Sequence, residues 1–241
     1  MLEANSTRRQ VLGAAVLGLT VAAPLGALAQ AAAEASGEKR VEGVAREKVI
    51  WLFTRRPDFT RERFRQEYVG IHAPLGVKYT RGRPGYTVNL VDSESPVDDL
   101  TEQWVWSVEE HTTRGKAYDT PQDMAKVYSN RITNGRHDLY VVDEKVLRGE
   151  PLKGPLGQPT PGVKVVWFYR HGQPVPPPPP GATRVVDNRV LRNVVLPSHE
   201  PGTSGIELIR MAWAPDLASL GPSASDALRV TEYRFLPSPW K

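Results

Sequence analysis

The chain has no cysteine among its 241 residues, which excludes disulfides, thiolate nucleophiles and cysteine-ligated metals. It has five histidines, His72, His111, His137, His171 and His199. No two of them stand at H-x-x-x-H or H-E-x-x-H spacing, so the sequence offers no metal-ligand motif. No glycine-rich phosphate loop follows a strand, and no G-x-S-x-G nucleophile elbow is present. There is also no block of like charge. The 31 basic and 27 acidic residues are interspersed, and a net charge of +4 spread in this way does not read as a nucleic-acid surface. What remains is 40% hydrophobic and 24% charged, the composition of a chain that folds around a core. Its length suits one large domain or two small ones.

The first 29 residues read as a targeting segment. Thr7-Arg8-Arg9-Gln10-Val11-Leu12 has the paired arginines of a twin-arginine export signal, and a moderately apolar run follows. Ala27-Leu28-Ala29 then gives the small-x-small pattern of a signal peptidase site. The run is long enough to span a bilayer, but its alanines, glycines and Pro24 favour cleavage over a retained anchor. The expectation is a periplasmic or secreted protein with the export machinery as a transient partner and no stable membrane anchor after cleavage. Residues 30–45 have no apolar period and read as a flexible tether.

The folded part begins near Glu47. KVIWLFT (48–54) is a strand apolar on both faces, with Val49, Trp51 and Phe53 on one side and Ile50 and Leu52 on the other. After the turn RRPD (55–58), Thr60 offers a helix N-cap, and Phe64, Tyr68, Ile71 and Leu75 form a helical stripe. Pro74 has no N–H and pushes Ala73 away from helical dihedrals, so the helix is expected to end or kink at His72. YTVNLV (86–91), EQWVWSV (102–108) and LYVVDEKVL (139–147) read as further strands, with a second helix within 120–132. The order βαββαβ describes a ferredoxin-like α+β unit over 46–148.

A Pro/Gly-rich linker occupies 149–162, and the pattern then recurs over 163–237. Lys48-Val49-Ile50-Trp51-Leu52-Phe53 returns as Lys164-Val165-Val166-Trp167-Phe168-Tyr169, and Leu139–Leu147 returns loosely as Leu228–Leu236, at an offset of 89. In place of the first helix stands HGQPVPPPPPG (171–181), whose prolines cannot be helical and favour polyproline II. The second unit is therefore a degenerate copy that has lost that helix. A βαββαβ unit leaves one sheet face bare. Two such faces in one chain are expected to close on each other as a single intramolecular barrel.

Residues 48–75, read as strand–RRP–T-x-E-x-F-x-x-x-Y-x-x-x-H-A-P-L, together with AYDTPQDM (117–124), resemble the EthD family of the dimeric α+β barrel superfamily. The resemblance covers 46–148; the second unit has no HAPL counterpart. It implies a pocket for a hydrophobic, aromatic small molecule and a cofactor-free reaction. Lyase, dehydratase or cyclase chemistry is the first reading and cofactor-free oxygenation the alternative. A non-catalytic barrel that holds a hydrophobic ligand or haem is the third. The chain is expected to work as a monomer or homodimer.

His72 and Tyr68 are four residues apart, hence neighbours on a helix, and are the candidate catalytic pair. An imidazole suits proton transfer near neutral pH. Arg55 and Asp58, at the mouth between strand and helix, are candidates to grip a polar substrate group. Trp51, Phe53, Trp104 and Trp106 are candidate pocket walls.

Overall fold

In a computed structural model, the described residues are 47–79, 85–113, 131–194 and 205–237. The expected signal segment and tether, AYDTPQDM and the expected second helix up to residue 130 lie outside them.

The described residues form a closed eight-stranded antiparallel barrel. The first unit supplies β1 (Glu47–Arg55), β2 (Gly85–Val91), β3 (Asp99–Val105) and β4 (Thr133–Arg148). The second supplies β5 (Val163–Arg170), β6 (Arg184–Asn193), β7 (Ile206–Ala214) and β8 (Leu228–Leu236). The strand order is β1-β3-β2-β8-β5-β7-β6-β4. Each half contributes a 4-1-3-2 sheet in its own numbering, and the halves meet at β2–β8 and β4–β6. This is the α+β architecture expected from the repeat, with the two units of a dimeric α+β barrel in one polypeptide.

Alternation along the strands assigns the two faces. On β1, Ile50 and Leu52 point into the barrel with Leu100, Val142, Val166, Met211 and Val230. Phe53 points outward, into a cluster with Phe64 and Tyr68 from the helix and Val88 and Phe235 from neighbouring strands. Burying each such side chain stabilises the fold by about 1.5–3 kcal/mol.

The outer face of the first sheet is covered by α1 (Arg61–Glu67), a π-helical turn (Tyr68–His72) and α2 (Ala73–Tyr79). Thr60 caps α1 by accepting from the Arg63 N–H at 3.1 Å. The helical path does not end at His72; a π-helical turn closing at His72 stands where the proline predicts an end or kink. The Ala73 N–H bonds back to the Tyr68 carbonyl, five residues away, and the chain continues helically to Tyr79. The wider π turn takes in the position where Pro74 has no N–H to give, and Pro74 sits in the first turn of α2, where a missing donor costs nothing. The expected apolar stripe is corrected as well. Ala73 and Val77, beyond the π turn, are buried, while Ile71 within it and Leu75 after it are only partly so. A short helix that the sequence did not signal, α3 (Val108–Thr113), follows β3.

Among the described residues the second sheet has no such helix. Its outer residues Val165, Trp167, Ala212 and Ala214 pack against Ala182, Leu220 and Ala224. Leu220 and Ala224 come from two 3₁₀ turns, Ala218–Leu220 and Pro222–Asp226, and Ala182 follows the proline run. Proline carbonyls need outside donors, and Arg148 supplies them: its Nη1 donates to the carbonyls of Pro179 (2.7 Å), Pro180 (2.9 Å) and Ala182 (3.0 Å). Gly181 passes so close to the 3₁₀ turn that a Cβ there would lie 2.0 Å from the Ser219 carbonyl oxygen.

The linker is part of the barrel wall. Gly157 N donates to Arg234 O (2.7 Å), Thr160 N donates to Glu232 O (2.8 Å), and Pro159 bridges to Tyr233. It thus continues the line of β5 along β8, where the direct β5–β8 pairing covers only 164–166.

Register also corrects the repeat. Lys48 pairs with Val142 and Lys164 with Val230, 88 residues apart, so Glu144 matches Glu232. The offset of 89 placed these strands one residue out, which in a strand exchanges the two faces.

Candidate active site

The face between the first sheet and its helix holds a buried polar chain. On β3, Asp99, Thr101 and Gln103 alternate toward the helix, opposite Phe53, Trp51 and Val49 of β1. The Tyr68 and Thr101 hydroxyls are 2.8 Å apart, and Thr101 Oγ1 lies 2.7 Å from Asp99 Oδ2. Tyr68 is 1% exposed, and Asp99 and Thr101 are fully buried. Burial in this apolar setting pushes the Asp99 carboxyl up to about 8, against the opposing hydrogen bonds from Thr101 and Tyr68. Burial, followed by the nearby Asp99 and Tyr86, holds the Tyr68 phenol well above its usual value. Tyr68 therefore stays protonated at neutral pH and works as a hydroxyl, not as a phenolate.

The chain has two hydrogen-bond states. An ionised Asp99 draws hydrogens inward, from Tyr68 to Thr101 to Asp99. A protonated Asp99 could instead donate to Thr101 and Thr101 to Tyr68, the reverse of the Thr101-to-Asp99 donation in the structure. The raised value favours the neutral carboxyl.

His72 packs edge-on against Tyr68, with ring centroids 4.9 Å apart, and is partly exposed. The sequence-predicted pair is thus in contact through its rings, while the Tyr68 hydroxyl is directed to Thr101. Trp51 and Phe53 stack at 5.6 Å on the same face. His137 joins them edge-on to Phe53 at 4.6 Å, with its Nε2 2.7 Å from the Thr133 hydroxyl.

Other candidates lie elsewhere. Trp104 faces the barrel interior, beneath the Lys48 ammonium at 4.6 Å. Trp106 lies beyond the end of β3. The structure therefore separates both from Trp51 and Phe53. Arg55 is tied to Asp98 by its guanidinium and by its backbone N–H (2.9 Å), and its Nε donates to Phe59 O at 3.2 Å. Asp58 forms an exposed pair with Arg56 at 2.8 Å. His171 is exposed, 3.3 Å from Glu207.

Asp99, Thr101 and His137 are the members that sequence reasoning missed. For Asp99 and Thr101 the signal was the alternation in DLTEQWV, hidden because the strand was expected to start at Glu102 and not at Asp99; His137 comes to the site through the pairing of β4 with β1.

No family model matches the sequence, and no curated protein matches it. Among solved structures, one similar chain is an anthrone oxidase-like protein, at 15% identity and a TM-score of 0.48, covering 82% of this chain and 96% of the other. Another is a candidate monooxygenase from Fusobacterium nucleatum subsp. nucleatum, at 10% identity and a TM-score of 0.44, covering 78% of this chain and 92% of the other.

Proposed function

We propose that the chain is an acid–base enzyme acting on a hydrophobic aromatic small molecule, and that the deprotonated substrate reacts with dioxygen. The observation that carries this reading is the buried Asp99–Thr101–Tyr68 chain beside His72. Two titratable groups with opposed environments make an acid–base pair. His72, at the partly exposed rim, takes a proton from the carbon next to a substrate carbonyl. Neutral Asp99, acting through Thr101, turns the Tyr68 O–H toward the enolate oxygen that forms. Trp51 and Phe53 flank the ring system. The resulting carbanion adds dioxygen and, on protonation, gives a hydroperoxide. The chain's resemblance to the EthD family over 46–148 agrees with a site on this face. We also read residues 1–29 as an export signal; replacing Arg8 and Arg9 by lysine and fractionating the cells tests that part separately.

The decisive measurement is oxygen uptake by the purified protein with a panel of enolisable hydroxyaromatic ketones. Uptake that falls at least a hundredfold in both His72→Ala and Tyr68→Phe supports the reading. Full turnover in both folded variants overturns it. Turnover that persists under nitrogen identifies elimination or cyclisation of the same anion, and a Soret band in the purified protein identifies a haem binder.

A further inference from the structure

The barrel interior holds a second polar assembly, on the opposite sheet face from the candidate active site. Lys48 Nζ bonds Glu102 Oε2 (2.7 Å), Asn188 Oδ1 (2.8 Å) and Glu144. Lys164 Nζ bonds Glu102 Oε1 (2.8 Å), Asn89 Oδ1 (2.7 Å) and Glu232 Oε2 (2.7 Å). Each lysine also lies over an indole, Lys48 over Trp104 and Lys164 over Trp213. The two halves match residue by residue, except that Glu102 on β3 has Met211 as its counterpart on β7.

Beside this assembly, at the end of the barrel crossed by the linker residues Pro151 and Leu152, is a half-open pocket of about 90 Å³. Its wall includes Trp104, Arg184 and Arg234 together with Glu102, Glu144 and Glu232. The near-symmetry fails there in one informative respect. Trp213 Nε1 donates to Glu232 at 3.2 Å. The equivalent Trp104 is 3% exposed, and its Nε1 has no hydrogen-bond partner among the described residues; neither has Arg234 Nε. Buried donors of this kind are satisfied in nearly every folded protein. The formal charges point the same way. Lys48, Lys164, Arg184 and Arg234 face three carboxylates, which leaves one positive charge in excess.

We infer that this pocket binds a small monocarboxylate, with the Trp104 N–H and the Arg184 and Arg234 guanidiniums as its donors. Two unused buried donors call for an acceptor, and a planar carboxylate suits both an indole N–H and a guanidinium fork. The single excess charge favours a monoanion over a dianion such as sulfate. The volume admits a group the size of acetate, or several waters. The site is independent of the proposed oxidation, since it lies on the other face of the sheet.

The test is a titration of the full chain with sodium acetate at constant ionic strength, followed by melting temperature and by the indole ¹H–¹⁵N resonances. Saturable stabilisation is expected, with a downfield shift of one indole signal that is missing from Trp104→Phe. That variant keeps the ring over Lys48 and should bind acetate at least about tenfold more weakly, as expected for a lost hydrogen bond to a charged acceptor. An equal response to sodium chloride or sodium sulfate, no movement of any indole signal, or unchanged affinity in Trp104→Phe would each overturn the assignment and leave the pocket to water alone.

Discussion

Lys48 and Lys164 stand at equivalent positions on β1 and β5 and grip the two oxygens of one carboxylate, Glu102, from opposite sides. Burial alone would raise the Glu102 carboxyl, but the two ammonium groups outweigh it and hold it well below the usual carboxylate range. For Lys48, burial favours the neutral amine, yet Glu102 and Glu144 raise its affinity for the proton. Removing one member leaves a buried charge uncompensated. Lys164→Met is therefore expected to destabilise the protein by about 3–5 kcal/mol. Urea unfolding monitored by circular dichroism checks this, and a loss below about 1 kcal/mol would show that the cluster adds nothing to stability.

Asp99 gives a stability profile of definite sign. Its folded value of about 8 lies above the unfolded 3.8, so between these limits the native state holds a proton that the unfolded chain has lost. Its contribution is complete below about pH 4 and falls as pH rises toward 8, by at most about 1.4 kcal/mol per unit. Asp99→Asn should flatten this part of the curve. Melting temperatures from pH 5 to 9 in the two proteins give the comparison.

The same group should govern activity. If neutral Asp99 sets Tyr68 as a donor, kcat/KM declines above about pH 8 in the wild type. Asp99→Asn, whose amide can still donate, should keep part of the activity and lose that decline. A variant with the wild-type pH profile would remove Asp99 from the mechanism.

Thr101→Val conserves shape but strips the hydroxyl between Tyr68 and Asp99. Leaving two buried polar groups without their partner costs about 1–3 kcal/mol. Without the Thr101 hydroxyl the Asp99 proton no longer reaches Tyr68, so the variant should lose most of the activity together with the decline above about pH 8. A pH–rate profile checks both.

Gly181→Ala tests whether the proline segment is a fixed replacement for the missing helix. The added methyl group would collide with the Ser219 carbonyl. A cost of roughly 1–3 kcal/mol is expected, as for overpacking in a core, with the proline run released from the second sheet. Faster proteolysis within 173–181 would report that release.

Much of the barrel was legible because its strands are written in alternation. Lys48–Phe53 and Lys164–Tyr169 announce a duplication, and two bare sheet faces in one chain have one economical way to be covered. The interior assembly was not legible. Glu102, Glu144 and Glu232 look like solvent-facing strand residues until the barrel closes, and a one-residue error at β8 sent Glu232 to the wrong side. The site was half legible. Tyr68 and His72 follow from helical spacing. Asp99 and Thr101 needed the start of β3, where an aspartate reads as a turn residue and breaks the strand signal. His137 needed the β1–β4 register, a long-range pairing that no local pattern records.

The π turn acts as a one-residue frameshift in the helix. Each α-helical residue advances the side-chain direction by about 100°, so the extra residue re-phases everything after it, and the segments on either side obey two different apolar rhythms. Phe64 and Tyr68 keep time with the first, Ala73 and Val77 with the second. His72 is the next beat of the first rhythm, four residues after Tyr68 and packed edge-on against it, but the shift ends that rhythm there and leaves His72 only partly buried. The last beat before the shift is thus the one that keeps a ring against the packed face and an edge toward the outside.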